Sequence, residues 1–259
     1  INHLRANFHD MSKKIVLIGA TSGIGREIAL IYLGLGFSLG LAGRREERLQ
    51  ELKSQYPGQV EIEPIDVTAD DAPERLGHLV QKLGGMDEFL LCSGVGHQNR
   101  RLDEAIEMAT IATNTVGFTR VLLAAYHYFR EKGHGHISVI SSIAGTKGLG
   151  AAPAYSATKG FQNLYIDALA QLARMEKLDI HFTDIRPGFV RTDLLADGRR
   201  YPMLMSAPYA ARRIVRAIER RERVAIIDWR YAILVFFWRL IPRFIWERLP
   251  ISNDKKQKI

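Results

Sequence analysis

Tyr155 and Lys159 stand four residues apart in Tyr155-Ser-Ala-Thr-Lys159. On a helix this spacing puts both side chains on one face. An ammonium beside a phenol favours the phenolate, so Lys159 is expected to draw the Tyr155 pKa down from about 10 towards working pH. A tyrosine so tuned is a usable general acid and base. The pattern by itself arises often by chance. Ser142, thirteen residues upstream of Tyr155, adds a hydroxyl able to hydrogen-bond a carbonyl and the alkoxide it becomes.

Other residues have the types needed to hold a nucleotide. Gly19-Ala20-Thr21-Ser22-Gly23-Ile24-Gly25 follows the apolar run Ile15-Val16-Leu17-Ile18 and precedes a helical stretch. Glycines there allow a tight turn and let backbone amides approach a pyrophosphate, and the helix N-terminus supplies partial positive charge. Arg44 and Arg45 follow the next apolar run. A guanidinium there suits a ribose 2′-phosphate, whereas an acidic residue would suit a free 2′-hydroxyl. The plainer reading of the two arginines is a solvated helix start.

These residues need elements to position them. Apolar runs read as strands at Lys14–Gly19, Phe37–Ala42, Val60–Ile65, Glu88–Cys92, His136–Ile140, Asp179–Ile185 and Val224–Ile227. Helical patterns lie between them at Gly25–Leu35, Arg45–Tyr56, Ala72–Leu83, Asp103–Glu131, Tyr155–Lys177 and Pro208–Arg221, the fourth interrupted near Asn114–Gly117. Several strands are continuously apolar, as expected when both sheet faces are covered. Strands alternating with helices predict an α/β class: a Rossmann-like, doubly wound parallel sheet of about seven strands in a single domain.

The glycine spacing, G-x-x-x-G-x-G, together with Asn114, Ser142 and Tyr155-x-x-x-Lys159 in this order, resembles the short-chain dehydrogenase/reductase family, in its NADP-preferring subfamily of about 250 residues. The resemblance runs over most of the chain, from about residue 13 to 193. It implies an oxidoreductase that moves a hydride between a nicotinamide and a carbonyl or alcohol, with NADP(H) preferred over NAD(H). It implies cofactor contacts at Gly19, Thr21, Ser22, Gly23, Ile24 and Gly25, and at Arg44 and Arg45. Asp66 and Val67 would lie at the adenine, and Ser93 and Gly94 beside the cofactor. Pro187, Gly188, Val190 and Thr192 would line the nicotinamide side, and Tyr155 and Lys159 would also touch the cofactor. Tyr155 would exchange the proton, Lys159 would tune it and bond the ribose, Ser142 would polarise the carbonyl, and Asn114 would join a water-mediated relay. Two departures stand out. Ile18 replaces the usual Thr before the first glycine, and Leu91-Cys92 replaces a pair of Asn that stabilises the sheet centre.

Composition bounds the rest. With 259 residues, 47% hydrophobic and 25% charged, the chain is an ordinary globular one, which excludes disordered, collagen-like and coiled-coil classes. A single cysteine, Cys92, excludes an intrachain disulfide framework and a multi-cysteine zinc site, and it reads as a buried core thiol. No metal site is expected: His134 and His136 alternate with glycines and read as a surface turn. Residues 1–10 read as vector-derived or upstream sequence before Met11, and the absence of a signal-peptide core there points to a cytoplasmic protein. Residues 11–228 then form the nucleotide-binding domain, and Asp193–Ser206, with Leu194, Leu195, Tyr201, Met203, Leu204 and Met205, its apolar substrate lid.

The net charge of +8 is confined to the C-terminal end. From Arg212 to Ile259 there are 13 Lys+Arg and 5 Asp+Glu, and the preceding 211 residues hold 23 of each sign. Residues 229–259 form an aromatic, basic helical extension containing all three tryptophans, Trp229, Trp238 and Trp246. Arg239, Arg243 and Glu247 fall on one helical face, with Leu240, Ile241, Phe244 and Ile245 away from it and Pro242 placed to kink or divide the helix. Two readings stay open: contact with a membrane surface through 229–249, or packing on the domain or a second subunit. The apolar run Tyr231–Trp238 is too short to span a bilayer, which needs about 20 residues. Nucleic acid is not expected as a partner, because the basic residues are interleaved with apolar ones. A homodimer or homotetramer through the long helices is expected from the resemblance. The alternatives to a carbonyl reductase are a cofactor-binding regulatory or scaffolding protein and a membrane-associated reductase of lipid or polyprenyl-sugar metabolism.

Overall fold

A computed structural model of the chain describes residues 12–192, 195 and 201–251. Residues 1–11, the lid residues 193, 194 and 196–200, and the end of the extension at 252–259 lie outside the described residues. The first half alternates β1 (Lys14–Ile18), α1 (Gly23–Leu35), β2 (Ser38–Gly43), α2 (Glu46–Gln55), β3 (Val60–Pro64), α3 (Ala72–Leu83) and β4 (Glu88–Leu91). The second half continues with α4 (Glu104–Ile111), a wide π turn (Ala112–Gly117), α5 (Phe118–Lys132), β5 (His134–Ile140), a 3₁₀ turn (Ile143–Thr146), α6 (Pro153–Met175) and β6 (Asp179–Pro187). A two-residue ladder joins β7 (Val190–Arg191) to β8 (Met205–Ser206); α7 (Ala207–Glu219), β9 (Val224–Ile227), α8 (Trp229–Leu240) and α9 (Arg243–Trp246) follow.

Seven strands form one parallel sheet in the order β3-β2-β1-β4-β5-β6-β9. Alternate residues of each strand serve two cores. Ile15 and Leu17 pack with α1 and α7, while Val16 and Ile18 pack with α3 and α5. Burial on both faces explains the apolar runs Ile15–Ile18 of β1 and Phe89–Leu91 of β4. Strand order reverses between β1 and β4, which opens a crevice at the carboxyl ends of the strands.

Most predicted elements are found within a residue or two. The turn expected at His134 and His136 is not: β5 begins at His134, because its ladder to β6 starts at His134 opposite Asp179. His136 is therefore buried in the sheet and bonded to the Thr183 hydroxyl at 2.9 Å. The predicted interruption of the 103–131 helix is the π turn. The division expected at Pro242, within the segment carrying Arg239, Arg243 and Glu247, is found. Ile241 takes an extended conformation ahead of Pro242, dividing the segment into α8 and α9, although Arg243 still bonds Glu247 at 2.7 Å. Among the described residues no helix is long and apolar enough to cross a membrane.

Candidate active site

Every candidate cofactor residue named above, together with Ser142, Tyr155 and Lys159, lines one cavity of about 780 Å³ at the carboxyl end of the sheet. Asn114 is the exception. It is wholly buried just behind the wall.

The glycine turn is held by its own main chain. Gly19 N and Ala20 N donate to Ala42 O at 2.8 and 3.0 Å, so the turn is anchored although Ile18 offers no hydroxyl. Gly25 is needed for close approach, since a Cβ there would stand 2.1 Å from Gly19 O. The Arg45 guanidinium lies over the turn, donating to Thr21 Oγ1 at 3.0 Å and Ser22 Oγ at 2.6 Å. Arg44 is exposed beside it. Burial works upward on the Asp66 carboxyl, but hydrogen bonds from Thr68 and the Arg44 charge hold it below its usual range. At Gly43, where an acidic residue would bind a 2′-hydroxyl, a Cβ would come within 2.8 Å of Thr21 Cγ2. An acidic side chain could enter there only by displacing Thr21.

Cys92 is not sealed in the core as expected. β4 ends at Leu91, so the next side chain leaves the sheet at the cavity wall, where it is half-buried. Its main chain still closes the sheet centre, Cys92 N donating to Ile18 O at 2.8 Å. Desolvation pushes the thiol pKa up against the pull of Lys159, so it stays protonated.

Ser142 opens the 3₁₀ turn after β5, where its Oγ accepts from Ala144 N at 3.0 Å. Its hydroxyl donates to Pro187 O at 3.5 Å. Tyr155 and Lys159 share a face of α6, as their spacing requires, with the ammonium 5.8 Å from the phenol ring centre. The expected lowering of the Tyr155 pKa is not found. Burial raises the phenol above its ordinary value, and the neighbouring Ser142 hydroxyl only moderates this. The reason lies in where the lysine goes: Lys159 Nζ donates to Ile140 O at 3.1 Å and to Gln162 Oε1 at 2.9 Å. Burial also lowers Lys159 itself to about 8, with Asp184 opposing.

The π turn presents both ends of Asn114. Its side chain accepts from Val95 N at 2.9 Å and donates to Val95 O at 2.7 Å and Thr158 Oγ1 at 3.2 Å. Its main-chain carbonyl accepts from Gln162 Nε2 at 2.8 Å. One buried glutamine thus joins Lys159 to the Asn114 carbonyl directly. Gln162 escaped the motif reading; the available signal was a polar residue one turn after Lys159 on a helix face that continues as Ile166 and Leu169. A second missed group stands behind the wall. Asp184, fully buried in β6, accepts a short hydrogen bond from Ser141 and pairs with Arg186 at 2.6 Å. Two charged residues inside the apolar run of β6 were its signal.

Phenol and serine hydroxyls converging on one wall can bind a carbonyl oxygen and hand it a proton. A glycine turn at the strand-order reversal can take a pyrophosphate. Fold and cavity together define a dinucleotide-dependent oxidoreductase. The short chain dehydrogenase profile matches residues 13–201, and the chain belongs to that family. As such it is an oxidoreductase that uses a nicotinamide cofactor, NAD or NADP. It is 32% identical over 244 residues to an uncharacterized oxidoreductase of Mycobacterium tuberculosis, covering 89% of this chain and 95% of that one. It is 28% identical to dehydrogenase/reductase SDR family member 7B of Bos taurus, covering 98% and 85%. A short-chain dehydrogenase from Streptomyces avermitilis shares the fold with a TM-score of 0.76 at 23% identity, over 88% of this chain and 93% of that one.

Proposed function

We propose that the protein is an NADP(H)-dependent carbonyl reductase, or alcohol dehydrogenase, acting on an apolar substrate. One observation carries this: two arginines follow β2 on the same cavity wall that holds Ser142, Tyr155 and Lys159. Ser142 follows β5, three strand spacings from β2, a lateral distance of roughly 14 Å that suits a dinucleotide lying across the strand ends. Arg44 and Arg45 would grip the 2′-phosphate, and the amides of the glycine turn the pyrophosphate.

When bound, the nicotinamide supplies or accepts the hydride. The protein's own part is proton and charge management. Tyr155, held protonated by its buried setting, donates its phenolic proton to the carbonyl oxygen during reduction. Ser142 holds the same oxygen. Lys159 is steadied by Gln162 and keeps positive charge beneath the phenol and the ribose. An apolar substrate is supported by the described part of the lid, where Met205 is buried and Tyr201 sets its ring 4.8 Å from that of Phe189. Exposed Met108 and Ile111 on α4, and Leu164 and Met175 on α6, support a homodimer or homotetramer through these helices. A cytoplasmic enzyme fits the same reading.

The test is a panel of ketones of rising chain length, assayed with NADPH and NADH in parallel by nicotinamide absorbance. We expect NADPH oxidation whose kcat/KM rises with chain length. A preference for NADH would remove the role given to Arg44 and Arg45. No oxidation of either cofactor across the panel would overturn the reductase reading.

A further inference from the structure

The C-terminal helix α8 is apolar on two sides. One side is accounted for: Tyr231 and Val235 are buried against the domain. The other carries Trp229, Ile233, Phe236 and Leu240 at i, i+4, i+7 and i+11, a single stripe whose members are 49–64% exposed. Beyond Pro242 the exposed apolar surface continues with Phe244 and Ile245. A helix on a globular surface needs one apolar face. A second, set among arginines, is the pattern of a helix lying in a bilayer interface.

Charge decides between occupants. Arg239, Arg243 and Arg248 are exposed around the stripe. Among the described residues of this segment the one exposed acidic group is Glu247, already bonded to Arg243. A second copy laid on this face would set arginines against arginines. The sequence 252–259, Ser-Asn-Asp-Lys-Lys-Gln-Lys-Ile, holds three lysines, one aspartate and no ring, so its chemistry does not match an aromatic stripe. Anionic headgroups answer the arginines, and acyl chains answer the rings.

This segment is also tied to two of the loops next to the cavity. On the nicotinamide side, the Tyr231 hydroxyl accepts from Phe189 N at 3.1 Å and donates to Pro202 O at 2.9 Å. On the Ser142 side, Trp246 Nε1 donates to Gly148 O at 2.7 Å, and Lys147 Nζ donates to Ile241 O at 2.8 Å. We infer that the exposed face of α8 and α9 docks the enzyme on an anionic bilayer, and that its substrate is a membrane-borne carbonyl or alcohol with a lipid-like chain. The docking stands on the surface alone; the substrate class rests on the reductase reading above.

Co-sedimentation of the full chain with phosphatidylcholine vesicles, with and without phosphatidylglycerol, tests the docking. We expect binding to the mixed vesicles that falls several-fold on phosphatidylcholine alone and as salt is raised. Replacing Phe236 and Phe244 together by Ser should weaken binding by at least about tenfold, and replacing Arg239 and Arg248 together by Ala by roughly tenfold. These side chains are exposed, so NADPH binding and oligomeric state should stay as in the parent. Failure of the parent chain to bind mixed vesicles, or parent-like binding by both variants, would overturn the docking. Loss of the oligomer by the serine variant would assign the face to a second copy instead. For the substrate class, a long-chain ketone in mixed vesicles should be reduced at least several-fold more slowly by the serine variant, with a short soluble ketone reduced at the parent rate. Equal slowing of both would overturn the substrate inference. Reduction of neither by the parent would overturn the reductase reading and leave the docking result standing.

Discussion

At the carboxyl end of the sheet, Lys159 and Tyr155 are set in the wall of a cavity. At the amino end, Glu88, Glu219, Tyr32 and His136 are packed together, and none of them lines that cavity. Both groups titrate far from their ordinary values. Burial lowers Lys159 to about 8 at one end, and at the other raises Glu88 to about 8 and lowers His136 to about 3. The contact of His136 Nδ1 with Glu88 Oε2 at 3.8 Å is therefore no ion pair near neutrality, since both groups are uncharged. At both ends burial is the largest cause of the displacement, so a displaced pKa alone does not mark a site. What separates the two ends is access, together with donors that converge on a space a reactant can enter.

The sharpest way to break this comparison is to remove one phenol from each end. Tyr155→Phe should lower kcat by about a hundredfold to ten-thousandfold, the usual worth of a positioned acid, while NADPH binding persists. Tyr32→Phe, which deletes the 3.2 Å bond from Tyr32 to Glu219, should leave kcat at the parent value. Steady-state rates with NADPH binding by fluorescence check both. Near-parent turnover by Tyr155→Phe would remove the proton role. An equal loss in Tyr32→Phe would erase the distinction between the two ends.

A smaller effect is expected at Gln162, a positioning residue that acts through Lys159. Gln162→Leu deletes a hydrogen bond to a charged group, so kcat should fall by about tenfold or more. It also removes an acceptor that favours the ammonium, so Lys159 should titrate lower still. The alkaline limb of the kcat–pH profile should move to lower pH. An unmoved limb would make Gln162 a packing residue only.

The site was legible where its chemistry is local in sequence. The glycine turn, the Tyr155–Lys159 spacing and the interruption at Asn114 each depend on a few consecutive residues and on the element that carries them. The parts that were not legible depend on what another strand or helix brings. Gly-His-Gly-His reads as a turn until β6 pairs with it. Asp184 meets Ser141 only through the register of β5 with β6. The i, i+4 rule placed Lys159 on the right face, but it could not say that the long side chain would turn to Ile140 and Gln162 and leave the phenol to its buried surroundings. The break at Pro242 was readable from one residue; that the stripe of α8 faces outward was not, because both of its sides are apolar.

The amino-end cluster makes the last and smallest prediction, which concerns stability and leaves turnover alone. Glu88 is 2% exposed, and its Oε1 has no hydrogen-bond partner among the described residues. Burial first, then the neighbouring Glu219, raises it from 4.5 to about 8, against Lys13 and Arg221. Between those values the folded chain keeps a proton that the unfolded chain has released, so raising the pH weakens the fold. His136 runs the other way: lowered from 6.5 to about 3, it makes the fold weaken as pH falls through that range. Where the ranges overlap, from 4.5 to 6.5, the two slopes oppose each other. From 6.5 to about 8 only the carboxyl slope remains, worth on the order of 2 kcal/mol at its upper end. Urea unfolding across this window should show the parent losing stability as pH rises and Glu88→Gln losing distinctly less, with the raised Glu219 carboxyl accounting for what slope is left. Identical slopes for the two proteins would mean that Glu88 is ionised in the fold, and the amino end would then hold charge much as the carboxyl end does.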